Sequence, residues 1–220
     1  MIKFDAITDQ YFTDASFEVG RGSVCNIIAG SNEDKDAALK TMLGLSRPDA
    51  GKVSLLGVDV YSASDASLTE AYGRLGVAWV GGGLISNLCV WENIMLPLGY
   101  HLGKRPEDVE DRVVSMLVRL GMDKASLPEY MAMRPGLMPV HEKSIAGLVR
   151  AMMMEPELII YDSILDDMKP EAASRVLELA AWFHAGREGR TSVFMGAGDA
   201  ALAGVKADVV IRRAGRGFMQ

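Results

Sequence analysis

The 220-residue sequence predicts an α/β fold, in which a mainly parallel sheet is covered by helices and a helical subdomain is inserted between the strands. Short apolar runs bounded by glycine or polar residues are typical of buried strands. Helical patterns lie between several of these runs, which favours parallel strands joined by helices. Residues 84–150 contain no convincing strand, which indicates a separate helical part.

Six apolar runs predict the strands, at 24–28, 54–60, 75–80, 158–161, 192–195 and 209–211. Three helices are predicted, one from Pro106 to Gly121, one over 145–153, and one from Pro170 towards Phe183. Pro106 and Pro170 can open the first and third helices, Gly121 can close the first, and the second stops before Pro156.

The whole chain, 1–220, is predicted to form one domain, with a sheet core at 1–83 and 151–220 and a helical subdomain at about 84–150. Nine of the 14 methionines lie between Met95 and Met154. Methionine fills irregular core gaps and also forms pliable contact surfaces, and the core role is favoured here.

The composition disfavours membrane-spanning and nucleic-acid-binding classes. No stretch approaches about 18 uninterrupted apolar residues, and the N-terminal residues do not read as a signal peptide. The net charge of −6 and the pI of about 5.1 argue against nucleic acid as a partner. Cys25 and Cys89 are expected to be apolar fillers. These features predict a cytoplasmic protein, either free or peripheral on the cytoplasmic face of the inner membrane.

Four segments, in order along the chain, resemble the ATP-binding subunits of ABC transporters. They are AGSNEDKDAALKTMLGLSRPDAGKVSLLGVDV (29–60), NLCVWENIMLPLGYH (87–101), GLVRAMMMEPELIIYDS (147–163) and ADVVIRRAGR (207–216). The second segment is most similar to ATPases that drive lipid and organic-solvent-resistance transport of the Mla type. The resemblance implies a P-loop NTPase-like ABC ATPase fold.

The segment that resembles the phosphate loop departs from the pattern G-x-x-x-x-G-K-[ST]. It has Gly30 and Lys35 but is one residue short, has no glycine before the lysine, and has Asp36 where Ser or Thr would bind magnesium. We expect Glu33, Asp34 and Asp36 to crowd Lys35 and repel phosphates. ATP and magnesium are therefore cofactors only if this degenerate loop still binds, and a plain helix start with acids in its first turn is favoured.

The resemblance also gives positions to the residues that would hydrolyse ATP. Asp162 matches the magnesium-associated aspartate, with a purely structural acceptor as the favoured alternative. Ser163 stands at the general-base position, Ala197 at the switch-histidine position and Val80 at the glutamine-loop position. Ser163 has no accessible pKa near 7 and cannot act as the general base, Ala197 is not histidine, and Val80 can neither bind a metal nor orient a water.

Other positions of the family pattern are also changed. The signature loop maps to 138–141, with Pro139 in place of serine and no glycine, and the D-loop maps to 166–170. The three glycines at 81–83 are interpreted as a permissive turn rather than a flexible joint. Tyr11 and Phe12 could stack on a ligand, but ordinary packing is favoured.

The segment that follows the glutamine loop predicts a docking surface. In the family it borders the groove that receives a permease helix, and here it is rich in large apolar side chains. The predicted partner-binding residues are Leu84, Leu88, Trp91, Met95 and Leu98, and core packing is the alternative.

Together these features predict a non-hydrolysing homologue that acts as a structural or regulatory subunit of a lipid-type transport complex. Its partners would be an ABC permease, an active ATPase paralogue or both, and any dimer would not be driven by ATP. Two alternatives stay open: an ATPase that still binds or hydrolyses ATP with unusual motifs, and a free-standing protein-binding module.

Overall fold

The computed structural model describes residues 1–166 and 168–219, which form two sheets and seven α-helices. The strands are β1 (Ile2–Thr8), β2 (Ala15–Val19), β3 (Val24–Ala29), β4 (Ala50–Leu55), β5 (Val58–Asp59), β6 (Leu75–Trp79), β7 (Leu158–Asp162), β8 (Thr191–Ala197), β9 (Val209–Ala214) and β10 (Gly217–Met219). The helices are α1 (Asn32–Met42), α2 (Asp65–Gly73), α3 (Val90–Leu102), α4 (Glu110–Arg119), α5 (Leu127–Ala132), α6 (Val140–Met153) and α7 (Pro170–Ala185).

The larger sheet has the strand order β10-β9-β3-β8-β7-β6, and all of its pairs except β10–β9 are parallel. Every residue of β7 is buried, as expected for an inner strand of a parallel sheet covered on both faces. The predicted α/β class is therefore confirmed, and β3, β6, β7, β8 and β9 correspond to predicted strands.

Each face of the parallel sheet has its own core, because successive side chains of a strand point to opposite faces. Ile159 and Tyr161 of β7 pack with α7 and the helices of the middle region. Leu158 and Ile160 pack on the other face, in the core that includes α1 and the smaller sheet.

The smaller sheet is antiparallel, with the order β2-β1-β4-β5, and the apolar runs of the sequence did not predict it. The strand predicted over 54–60 is wrong, because Leu56 and Gly57 have φ of 54° and 85° and form the turn between β4 and β5. The alternation of β1 is broken at Ala6, which also has a positive φ and approaches Gly51 closely. This β-bulge interrupts the alternation of buried and exposed residues, so the sequence of β1 does not show the period of two by which a strand is predicted.

The middle of the chain is helical, and the described residues between 84 and 150 contain no strand, as predicted. The helix predicted from Pro106 begins as a 3₁₀ turn and becomes α4 at Glu110, and Gly121 follows its end with φ of 88°. Helix α6 begins at Val140, earlier than predicted, and runs across the predicted boundary at 150. The division into two subdomains stays a prediction.

No helix in the described part of the chain is both long and apolar enough to cross a membrane.

The two cysteines have different roles. Cys25 is buried in the core beneath α1, and burial raises the pKa of its thiol to about 12. Cys89 is half-buried and caps α3, because its Sγ accepts a hydrogen bond from the Glu92 amide at 3.5 Å. The expectation of an apolar filler therefore holds for Cys25 and is corrected for Cys89.

Candidate functional site

The predicted site residues meet at the carboxyl edge of the parallel strands, where α/β proteins usually place their ligands. Lys35 follows β3, Asp162 ends β7, and Ala197 ends β8. Backbone hydrogen bonds join the segments, since the Val80 amide donates to the Asp162 carbonyl at 3.1 Å and the Ser163 amide donates to the Met195 carbonyl at 3.0 Å. The topology thus brings these predicted positions to one edge.

The connection from β3 to α1 consists of Gly30 and Ser31 only. The Ser31 hydroxyl caps the helix by accepting from the Asp34 amide at 3.1 Å, so α1 begins at Asn32. Gly30 does not have a left-handed conformation. Lys35 therefore lies within a regular helix, and the favoured interpretation of this segment as a helix start agrees with the structure.

Lys35 is buried and contacts two carboxylates, the buried one of Asp162 and the exposed one of Asp36. Its ammonium contacts the carboxylate of Asp162 and lies 2.9 Å from Asp36 Oδ1, and Lys35 is only 3% exposed. Burial acts to lower the pKa of Lys35, but the bonds and charges of Asp162 and Asp36 outweigh it and raise that pKa. Lys35 therefore stays charged at neutral pH.

The other two acids near Lys35 have partners of their own, which corrects the prediction that three carboxylates crowd the lysine. Asp34 pairs with Arg213 at 3.5 Å, and its Oδ2 lies 3.1 Å from the place that a Cβ on Gly30 would occupy. Glu33 accepts a hydrogen bond from the Tyr11 hydroxyl at 3.1 Å. Of the three predicted acids only Asp36 contacts Lys35, and Asp162 is its second partner.

Arg213 of β9 also lies at this edge of the sheet, and the sequence did not predict it as a site residue. Its guanidinium lies 4.6 Å from the Phe12 ring centroid and bonds the Tyr11 carbonyl. Phe12 is fully buried, so it packs in the core and does not stack on a ligand. No sequence pattern distinguishes this arginine from a solvated one, because its role depends on the β9–β3 pairing.

The arrangement does not fit a magnesium triphosphate. A phosphate loop offers converging backbone amides and a free lysine, whereas here the amide of Asp34 bonds Ser31 and Lys35 bonds two carboxylates. Asp36 would add negative charge where a hydroxyl is required. No group of three or more potential metal-binding side chains occurs in residues 1–166 and 168–219.

The position of the general base is buried and strained. Ser163 has a φ of 49°, which is unusual for a residue other than glycine, and its hydroxyl is buried with no hydrogen-bond partner among the described residues. Ala197 borders a cavity of about 640 Å³ together with Asn32 and Asp166. Asp167, the neighbouring residue of the predicted D-loop, lies outside the described residues.

The glycines at 81–83 form a turn packed against α6. All three have positive φ, and a Cβ on Gly147 would lie 2.5 Å from the Gly82 Cα. The Ser144 hydroxyl accepts from the Gly81 amide at 2.9 Å, and Arg150 donates to the carbonyls of Gly82 and Gly83 at 2.9 and 3.0 Å. This agrees with the permissive-turn interpretation. Val80 precedes the turn and is partly exposed.

The segment that maps to the signature loop leads into α6. Pro139 occupies the N-cap position without a side-chain cap, and Val140 and His141 form the first turn of the helix. His141 is therefore an exposed residue of the helix, although the signature loop was expected over 138–141. Leu137, just before this segment, is an exposed apolar side chain.

The predicted docking residues differ in exposure. Leu98 is 1% exposed and belongs to the core. The prediction that Leu98 contacts a partner is therefore wrong. Leu84, Trp91 and Met95 are partly buried against the same core, and Leu88 is half-buried.

Other apolar side chains of this region are exposed, among them Ile85 before α3 at 43%, and Leu96 at 48% and Tyr100 at 83% within α3. We call these three residues the α3 surface. Leu96 and Tyr100 are four residues apart, a helical spacing that could have identified them from the sequence.

Comparisons with known proteins agree with the architecture. No family model matches the chain. It is 29% identical over 189 residues to the methionine import ATP-binding protein MetN of Rhizobium meliloti, covering 81% of this chain and 51% of that protein. It is 26% identical over 174 residues to the probable ribonucleotide transport ATP-binding protein mkl of Mycobacterium leprae, covering 78% of this chain and 48% of that protein. The chain spans about half the length of the curated relatives it matches.

Solved structures show the same fold. The dimeric ATP-binding cassette MJ0796, bound to ADP and phosphate in a post-hydrolysis state, superposes with a TM-score of 0.84 at 17% identity, covering 100% of this chain and 97% of that one. The protein cbiO1 of Clostridium perfringens, part of the transporter complex cbiONQ, gives a TM-score of 0.75 at 15% identity, covering 100% and 86%.

Proposed function

We propose that this chain, which is related to the ATP-binding subunits of ABC transporters and has the ABC ATPase fold, is a non-hydrolysing structural or regulatory subunit of a transport complex. The observation that carries the proposal is that the buried Lys35 contacts the buried carboxylate of Asp162 and the exposed carboxylate of Asp36. The lysine that would bind phosphates is already satisfied by the chain's own carboxylates.

Energetics support weak nucleotide binding. Removing one partner of a buried ion pair costs about 3–5 kcal/mol, because the remaining charge is left uncompensated. Micromolar affinity corresponds to about 8 kcal/mol. A nucleotide that took Lys35 from Asp162 would lose about half of such an affinity, and Asp36 and Asp162 would then face its phosphates.

The chain also lacks side chains that could catalyse the hydrolysis of ATP. Attack on a phosphoryl group requires a positioned water and stabilisation of the transferring phosphoryl charge. Ser163 cannot take the proton of that water near neutral pH, and Ala197 has no polar side-chain atom. Because the segments that match the phosphate loop and the signature loop are both altered, we propose that any dimer of this chain forms without ATP.

The proposed partners are an ABC permease, an active ATPase paralogue or both, at the cytoplasmic face of the inner membrane. The α3 surface supports a docking role, because Leu96 and Tyr100 border an open depression of about 380 Å³ with Arg150. Exposed apolar side chains beside a groove suit contact with a partner helix. We further propose that the transport system is of the lipid type, because residues 87–101 resemble the corresponding segment of ATPases that drive lipid transport.

A second candidate is an ATPase with unusual motifs, which the retention of both Lys35 and Asp162 at the strand edge favours. Calorimetry with Mg-ATP, beside a working ABC ATPase as positive control, separates the two. We expect no saturable binding below about 1 mM and no phosphate release above background. Turnover that follows the protein through purification would contradict the proposal and favour the second candidate.

A free-standing binding module is the third candidate. Affinity purification from the native organism with mass spectrometry decides this point. Recovery of a permease or a complete ABC ATPase supports the proposed function, and consistent recovery of unrelated proteins alone supports the binding module.

A further inference from the structure

A second cavity lies between α7 and the face of the parallel sheet, towards the opposite end of the strands from Lys35 and Asp162. It borders Val24, the first residue of β3, and Ser192, near the start of β8. Its volume is about 390 Å³, within the range of small-molecule sites. Its walls are mainly apolar and include Leu177, Ala181 and Val205.

The cavity contains a hydrogen-bonded pair that the proposed function does not use. His184 Nδ1 lies 3.1 Å from the hydroxyl of Ser192, which is 1% exposed. No hydrogen bond to Nε2 of His184 occurs in the described part of the chain. Burial lowers the pKa of His184, Arg190 lowers it further, and Asp208 opposes them. A neutral imidazole results, which can exchange a hydrogen bond with an uncharged polar group.

The sheet beside the cavity has more hydrogen-bonding capacity than the protein uses. Phe194 lines the cavity, and Asn26 and Tyr161 are its register neighbours on the adjacent strands. Asn26 Oδ1 and the Tyr161 hydroxyl are buried without a partner among the described residues. Neither Asn26 nor Tyr161 lines the cavity, so a ligand there would contact Phe194, His184 and Ser192 and not these two buried atoms.

The shape and charge of the cavity restrict the ligand class. Phe194 stacks on Tyr161 with ring centroids 4.3 Å apart, which makes a rigid aromatic wall. One acid, Glu178, and one base, Lys206, line the cavity, so neither charge sign dominates. Aromatic rings pack favourably against such a wall, and a single polar group can satisfy the His184–Ser192 pair.

We propose that this cavity binds a small uncharged aromatic molecule with one hydroxyl or N–H group, held by Phe194 and by the His184–Ser192 pair. The site is separate from the proposed function, because it uses neither Lys35 nor the α3 surface. A ligand there would join α7 to the segment that leads into β9.

Binding of 2-naphthol, followed by amide chemical shifts on the full chain, tests the proposal. We expect saturable shifts centred on β8 and α7, with an affinity in the submillimolar range. Ala181→Trp fills the cavity and should weaken binding about tenfold or more. His184→Phe keeps a ring but removes the polar partner, and should weaken binding about fivefold.

The matched control is Ala66→Trp, which adds the same side chain at an exposed position of α2 and should bind like wild type. The charged analogue 2-naphthoate should bind more weakly than 2-naphthol, since the cavity offers no dominant counter-charge. Absence of saturable shifts with folded wild-type protein, shifts centred elsewhere, or unchanged binding by both folded cavity variants would overturn the proposal.

Discussion

Lys35 and Asp162 are 127 residues apart in the sequence and form a buried ion pair in the fold. Lys35 lies on the inner face of α1, and Asp162 is the last residue of β7, so the pair fastens the helix to the carboxyl edge of the sheet. The charge of Lys35 is therefore neutralised within the chain.

Lys35→Met should destabilise the protein strongly. It leaves the buried carboxylate of Asp162 without its counter-charge, which costs about 3–5 kcal/mol. Urea denaturation measures the change in the free energy of unfolding. Lys40→Met, at an exposed position of the same helix, should change it by less than about 0.5 kcal/mol. Equal stability of Lys35→Met and wild type would mean that the ion pair is not formed in solution.

Gly82→Ala should be much more damaging than Gly81→Ala. Both residues have positive φ, so alanine costs each about 1–2 kcal/mol. A Cβ on Gly81 meets nothing within 4 Å, whereas one on Gly82 would clash with the Lys143 carbonyl. We expect a difference in melting temperature between the two variants. If both melt alike, the turn is mobile and the flexible-joint interpretation is restored.

Acidification should remove stability through His184. Burial places its folded pKa below the unfolded value of about 6.5, so the unfolded state binds the proton first. This contribution to stability is complete above about pH 6.5 and is lost as the pH falls towards the folded pKa. His184→Gln should lose less stability than wild type between about pH 7.5 and pH 5.5. Parallel pH profiles for the two proteins would contradict the assignment.

Charged substitutions on the α3 surface should abolish partner recovery without unfolding the protein. Leu96→Asp and Tyr100→Asp change exposed side chains, so the melting temperature should stay within about 2 °C of wild type. Leu98→Asp is the contrasting variant, because it buries a charge in the core and should prevent folding. Full partner recovery by stably folded Leu96→Asp and Tyr100→Asp proteins would exclude this surface.

The sequence predicts the parallel sheet well because its inner strands are covered on both faces. A strand such as β7 is apolar at almost every position, and no alternation is needed to recognise it. Strand β1 is buried on one face only, and the positive φ of Ala6 breaks its alternation. The antiparallel sheet was therefore missed.

The site is predictable in its composition but not in its contacts. The order of segments places Lys35, Asp162, Ser163 and Ala197 at one edge, since parallel strands end together. Which carboxylate neutralises Lys35 depends on the short connection between β3 and α1 and on the buried position of Arg213. Neither the short connection nor the position of Arg213 produces a periodic pattern in the sequence. The prediction that Glu33 and Asp34 crowd Lys35 was therefore wrong, since Glu33 contacts Tyr11 and Asp34 contacts Arg213.

The connection of two residues between β3 and α1 fixes which side of the helix faces the sheet. Side chains on a helix advance by about 100° per residue, so inserting one residue within α1 would turn Ala38 and Met42 away from the core. A longer connection that keeps the packing of α1 therefore has to gain its extra residue before Asn32.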